Sequence, residues 1–298
     1  MKKSILTSIG NTPLVKLQNL ASPGAAEVYV KLEYFNPSGS YKDRMALAML
    51  EEAEARGELK PGMTVVECTG GNTGSALALL CAVKGYRFHV ISSNAYAPEK
   101  LNTMRAFGAH LEMVTSPSGK ITPDLLPRMM ARARELGKRE GYFYTDQFNN
   151  HDELKGYIHL GQEIRQELGA SPDVFCGAVG TAGMLMGVAE DLLKASPSTQ
   201  IVAFEPKTSA VLSGEAAGSH RIEGIGVGFV PPLLNRDYLD EVRTIPESEA
   251  REMVRQLAQE EGIFAGTSTG VNVWGALQIA RELGKGKKVV TVACDAGL

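Results

Sequence analysis

The chain has 298 residues, 44% of them hydrophobic and 22% charged, which is enough for two domains with their own cores and too long for a stapled miniprotein. Thirty-one Lys plus Arg against 34 Asp plus Glu give a formal charge of −3, with no basic run beyond the short turn 284–288, which argues against nucleic acid as the main partner. No stretch is apolar enough to span a membrane, Met1-Lys2-Lys3-Ser4 is not followed by the apolar run of a signal peptide, and Cys68, Cys81, Cys176 and Cys294 have no metal-like spacing. A reduced, cytoplasmic setting is the expectation.

Short β-branched runs alternate with helical patterns along the chain, the signature of an α/β fold. In order, a strand is predicted at Val28–Leu32 and a helix at Asp43–Arg56. In that helix Met45, Ala48, Met49 and Ala53 share an apolar face and Glu51, Glu52 and Glu54 face water. Next come strand Thr64–Glu67, helix Thr73–Lys84 stopped by Gly85, strand Arg87–Ile91, helix Pro98–Phe107 stopped by Gly108, and strand His110–Val114. A polar stretch at Thr145–Asp152 marks the main division. Beyond it helix Asp152–Leu168, strand Val174–Ala178, helix Met184–Lys194, strand Gln200–Phe204, helices Glu247–Glu261 and Val271–Leu283, and strand Lys288–Val292 are predicted. The strands are nearly all apolar, as parallel strands covered on both faces are. Trp274 is assigned to core packing.

Several enzyme plans lack their residues here. There is no GxxxxGK[ST] loop and no HExxH pair. Gly266-Thr267-Ser268-Thr269-Gly270 matches a nucleophile elbow, but the last histidine, His220, precedes Ser268, so the usual order of a hydrolase triad fails.

Three segments carry more. Thr69-Gly70-Gly71-Asn72-Thr73-Gly74 and Gly177-Ala178-Val179-Gly180-Thr181-Ala182-Gly183 each follow a predicted strand and open a helix, where open α/β sheets bind ligands; the first suits a small carboxylate and the second a phosphate. Taken alone, each reads as a tight turn. The third, Asn36-Pro37-Ser38-Gly39-Ser40-Tyr41-Lys42-Asp43-Arg44, places a lysine at the first turn of a helix. The helix dipole there disfavours an ammonium, which suits a lysine that forms an imine. A separate phosphate loop alongside such a lysine suggests pyridoxal phosphate.

With Ile9-Gly10-Asn11-Thr12-Pro13-Leu14-Val15, Lys31-Leu32-Glu33, Gly224-Ile225-Gly226-Val227-Gly228-Phe229-Val230-Pro231 and Glu261-Gly262-Ile263-Phe264-Ala265-Gly266, these segments closely resemble the cysteine synthase (O-acetylserine sulfhydrylase) and cystathionine β-synthase family of fold-type II pyridoxal-phosphate enzymes, over almost the whole chain. The resemblance implies a two-domain, tryptophan synthase β-like α/β fold, each domain a mostly parallel twisted sheet flanked by helices, with pyridoxal 5'-phosphate in the cleft. Residues 37–150 would form a smaller, more mobile domain, and 1–36 plus 151–298 a larger one.

The resemblance further implies that Lys42 is the catalytic lysine bonded to the cofactor, that Asn72 meets its ring hydroxyl, that Gly180, Thr181, Ala182, Gly183 and Met184 bind its phosphate, and that the Ser268 hydroxyl faces its pyridine nitrogen. Thr69, Gly70, Gly71, Asn72, Thr73, Gln147 and Gly226 would bind the amino-acid substrate. The implied reaction is β-replacement on a β-substituted alanine, O-acetyl-L-serine plus sulfide giving L-cysteine and acetate, by a homodimer that can partner serine acetyltransferase. Three alternatives stay open: β-elimination by a serine/threonine dehydratase or cysteine desulfhydrase, β-replacement with another nucleophile, and a regulatory cofactor-binding relative. The chain departs from the family's pattern at Gly70 (usually serine), Ala182 (usually glycine), Met184 (usually threonine) and 149–157 after Gln147. It also ends at Leu298, where relatives continue for at least a few residues.

Overall fold

The computed structural model describes residues 4–122 and 124–297; Met1–Lys3, Pro123 and Leu298, the chain end noted above, lie outside the described residues. In chain order the elements are β1 (Leu14–Lys16), β2 (Glu27–Leu32), α1 (Lys42–Ala55), β3 (Thr64–Cys68), α2 (Asn72–Lys84), β4 (Arg87–Ser92), α3 (Pro98–Ala106), β5 (His110–Met113), α4 (Leu125–Gly137), β6 (Tyr142–Tyr144), α5 (Glu153–Leu168), β7 (Val174–Ala178), α6 (Gly183–Ala195), β8 (Gln200–Pro206), β9 (Glu241–Ile245), α7 (Glu247–Gln256), α8 (Thr267–Leu283) and β10 (Lys288–Ala293). They divide into two compact units, Met1–Ile9 with Lys42–Glu153, and Gly10–Tyr41 with Leu154–Leu298.

The first unit is a parallel sheet in the order β5-β4-β3-β6. All five residues of β3 are buried, which is why its sequence shows no polar alternation. Leu77, Leu80 and Met104 belong to the core on one side with Val65, and Leu125, Met129 and Leu136 to the core on the other with Val66. The chain runs outward from β3 to β4 and β5, then returns to place β6 on the far side of β3. The strand order therefore reverses between β3 and β6, and a crevice opens beyond their C-terminal ends.

The second unit is a six-stranded sheet in the order β1-β2-β10-β7-β8-β9, parallel except for β1. It reverses in the same way between β7 and β10. The Lys31 side chain on β2 is wholly buried; its ammonium pairs with Glu163 and Glu167 of α5 and donates to the Thr12 carbonyl, so the buried charge is compensated.

The sequence reading needs correction in places. In α1, Ala48 is only partly buried, whereas Ala46 and Leu50 are fully so; Glu54 is half-buried, accepting from Lys84 and Tyr86 rather than facing water. The predicted helix Glu247–Glu261 is α7 followed by a π-helical turn, Leu257–Glu261, and α8 begins at Thr267 rather than Val271. Strands β1, β6 and β9 and helix α4 have no counterpart in the sequence reading. Trp274 packs partly buried against the core, and all four cysteines are buried thiols. Among the described residues no helix is long and apolar enough to cross a membrane.

Candidate active site

In the first unit the predicted residues gather at the crevice between β3 and β6. Thr69, Gly70 and Gly71 leave the end of β3, Asn72 and Thr73 open α2, and Gln147 follows β6. The Gly71 N–H donates to Thr69 Oγ1 (3.2 Å), the Thr73 hydroxyl to Gln147 Oε1 (2.8 Å), and Gln147 Nε2 to the Cys68 carbonyl (3.1 Å). Helix α2 starts at Gly71 with no side-chain cap, so its first N–H groups remain an anion-binding end. Lys42 is the first residue of α1 and is buried, so it is not a solvated lysine.

The sequence reading missed the residue that ties these loops together. Glu67, fully buried in β3, accepts from the Cys68 N–H (2.7 Å), the Thr145 hydroxyl (2.7 Å) and the Gln147 N–H (3.0 Å). Its signal was a charged residue inside the otherwise apolar Val65-Val66-Glu67-Cys68 run. Burial pushes its pKa from 4.5 up to about 7, against the opposing pull of these hydrogen bonds. The Thr145 hydroxyl, also 3.3 Å from the Val66 carbonyl, can turn to that acceptor when Glu67 holds a proton. Between pH 4.5 and about 7 the folded chain keeps a proton that unfolded Glu67 has released, so stability falls as pH rises through this window and levels off above it. Thermal melts from pH 4.5 to 8 are expected to show this fall in the wild type and a flatter profile in Glu67→Gln; parallel profiles would remove Glu67 as its source.

Gly70, where the family pattern has serine, also has a physical cause. A Cβ there would lie 1.9–2.3 Å from three ring atoms of Tyr96, so the ring occupies the space a side chain needs. Burial pushes the Tyr96 phenol up to about 12, which keeps it neutral. Gly70→Ser is expected to destabilise the protein by about 1–3 kcal/mol through overpacking. In a Tyr96→Ala background the same substitution should cost much less in chemical denaturation, since the clashing ring is gone; a Gly70→Ser variant as stable as wild type would show that the ring yields freely.

In the second unit the predicted residues lie at the reversal between β7 and β10. Gly180, Thr181, Ala182, Gly183 and Met184 join β7 to α6, and all five are buried. Ala182, at the N-cap of α6, has no side chain to cap it, and Thr181 Oγ1 accepts from the Gly183 N–H (3.3 Å); the positive end of the helix, buried here, favours an anion. Gly180 can only be glycine here, because a Cβ would meet the Gly224 carbonyl oxygen at 2.2 Å. Ala182 takes the left-handed conformation (φ 74°) that explains the family's glycine at this position. The Met184 side chain lies against Gly177, whose Cβ would come within 2.8 Å of Met184 Cε, which leaves the backbone as the part of Met184 that serves the loop.

Gly226 is docked beside this loop by its N–H to the Val179 carbonyl (3.0 Å). The Ile222 N–H donates to His220 Nδ1 (3.3 Å), which leaves Nε2 to donate to the Gly226 carbonyl (2.9 Å). Ser268 is buried in the first turn of α8, so it is no elbow nucleophile. Its neighbour Thr269 accepts from the Cys294 N–H (3.0 Å), and Asn272, one turn on, accepts from the Ala178 N–H (2.8 Å). These bonds hold the start of α8 against the ends of β10 and β7. A buried glycine loop that opens a helix, carries the Thr181 hydroxyl and cannot admit a Cβ at Gly180 fits a phosphate ester.

The whole arrangement matches known proteins. A family model described as "Pyridoxal-phosphate dependent enzyme" covers residues 5–295. The chain is 45% identical over 291 residues to a cysteine synthase of Staphylococcus aureus, covering 97% of this chain and 92% of that one. Among solved structures, a cysteine synthase from Entamoeba histolytica superposes with a TM-score of 0.93 at 35% identity, over 100% of this chain and 88% of the other. An O-ureido-L-serine synthase does so with 0.91 at 39%, over 100% and 92%. A buried lysine opening α1 in one unit, a phosphate-fitting loop in the other and a family match across nearly every residue make the chain a member of the pyridoxal-phosphate dependent enzymes.

Proposed function

We propose that the chain converts O-acetyl-L-serine and sulfide to L-cysteine and acetate, with Lys42 as its base and its point of covalent attachment to pyridoxal phosphate. The observation that carries this reading is a buried lysine at the first turn of α1 in a chain of the cysteine synthase type, whose α6 begins in a buried glycine loop. When bound, pyridoxal phosphate withdraws electrons from the amino acid's Cα, so that the α-proton becomes removable and the β-substituent can leave.

The protein's own groups do the rest. The amides of the α6 loop, from Gly180 to Met184, hold the phosphate, and Asn72 and Ser268 meet the ring hydroxyl and the ring nitrogen. Ser268 presents a hydroxyl rather than an acid, which moderates electron withdrawal and favours β-chemistry over transamination. Thr69, Thr73, Gln147 and the Gly70 N–H bind the substrate carboxylate, with the Gly71 N–H orienting Thr69 Oγ1 toward it. Lys42 Nζ takes the proton from Cα and returns it once the nucleophile has added to Cβ. A homodimer is part of the same reading and comes from the family resemblance.

Incubation with O-acetyl-L-serine, with and without sulfide, tests the reading. One cysteine per acetate released is the expected result. Pyruvate in place of cysteine would make the enzyme an eliminase, and no acetate release by cofactor-replete protein would overturn the reading. The Gly70–Tyr96 pair favours one variation, a nucleophile other than sulfide, since a tyrosine ring fills the space a side chain at position 70 would take; a similar protein, O-ureido-L-serine synthase, is named for a different β-substituted alanine.

A further inference from the structure

Helix α3 is packed closely on the loop that carries Asn72. Tyr96, just before α3, covers Gly70, and a Cβ on Gly74 would meet Met104 Cε at 2.4 Å, so α3 has little room to shift against α2. From its first turn, the Lys100 ammonium donates to Asn72 Oδ1 at 2.8 Å. An ammonium has only donors, so it selects one of the two orientations of an amide whose oxygen and nitrogen are otherwise nearly interchangeable. With Oδ1 turned to Lys100, the Asn72 N–H groups lie on the other branch of the amide.

We propose that Lys100 is a positioning residue for the cofactor: it fixes the Asn72 side chain with its N–H groups toward the ring hydroxyl of pyridoxal phosphate. The proposal rests on the reading of Asn72 given above. A neutral or absent partner at position 100 removes the charged donor that holds Oδ1 and so weakens the preference for this orientation over the reverse one, in which two acceptors would oppose each other. The bond is charge-assisted, of the kind whose loss costs about tenfold or more in affinity.

The dissociation constant of pyridoxal phosphate, from absorbance and fluorescence titration of the full chain, tests the proposal in a double-mutant cycle. Lys100→Met is expected to weaken binding about tenfold. Lys100→Arg, which keeps a charged donor, should stay close to wild type. In an Asn72→Ala background, Lys100→Met should add nothing, and the melting temperature of the cofactor-free protein should not change. Asn72→Asp, which keeps a partner for Lys100 but has no side-chain N–H, should bind as weakly as Lys100→Met. Wild-type affinity in Lys100→Met or Asn72→Asp, or additive effects in the cycle, would overturn the proposal. If the wild-type chain itself took up no pyridoxal phosphate, the reading of Asn72 would fall with it, an outcome separate from normal uptake with an additive cycle.

Discussion

Lys42→Ala is expected to lower kcat/KM for O-acetyl-L-serine by about a thousandfold or more, because it removes both the covalent attachment and a base, and a positioned base alone contributes about 10²–10⁴-fold. Lys42 is the first residue of α1, and alanine, the strongest helix former, keeps the backbone of that turn helical. Far-UV circular dichroism should be unchanged, and visible absorption from attached cofactor should disappear. Lys42→Arg should not rescue activity, since a guanidinium neither forms the imine nor serves as a base near neutral pH. Activity of Lys42→Ala within about tenfold of wild type would move the base to another residue.

The second large effect is expected at Gly180. Its missing Cβ leaves room for the Gly224 carbonyl oxygen, which would sit 2.2 Å from an alanine methyl. The obstacle is backbone, so relief requires moving the phosphate loop or the 224–228 segment that the Gly226 N–H anchors to Val179. Gly180→Ala should cost about 1–3 kcal/mol in folding stability. It should also weaken pyridoxal phosphate binding by tenfold or more, if loss of one charge-assisted bond to the phosphate accompanies the shift. Chemical denaturation and cofactor titration read the two effects separately; wild-type values in both would mean the loops part without cost.

Much of this could be read from the sequence because the fold repeats local signals. Val174–Ala178 was bounded correctly by its apolar run and the glycines that follow, and helices ending at Gly85 and Gly169 carried their own stop signs. What escaped notice depended on neighbours distant in sequence. Strand β9, Glu-Val-Arg-Thr-Ile, is a half-exposed edge with no apolar run to announce it, and β6 is only three residues long. Gly270 reads as a break in α8, yet it is a contact point: a Cβ there would meet the Ala250 carbonyl at 2.0 Å, so the glycine lets α8 lie close on α7.

The site divides along the same line. Lys42, Asn72 and the α6 loop sit in contiguous motifs, so pattern alone marks them. Glu67, Tyr96 and Lys100 act across space, on Gln147, Gly70 and Asn72 respectively, and only Glu67 left a trace, as a charge within a buried strand. Gly70 stood out in the sequence as a missing hydroxyl, but its cause, a tyrosine ring 26 positions further along, required the fold.

A single-turnover titration followed by visible absorption tests the central claim most directly. Cofactor-replete protein should show a band from lysine-bound pyridoxal phosphate that is absent in Lys42→Ala. Adding O-acetyl-L-serine should change the band as one acetate per active site is released, and adding sulfide should restore it as one cysteine appears. A band that stays unchanged with O-acetyl-L-serine, with no acetate released, would contradict the assignment of this chain to cysteine synthesis.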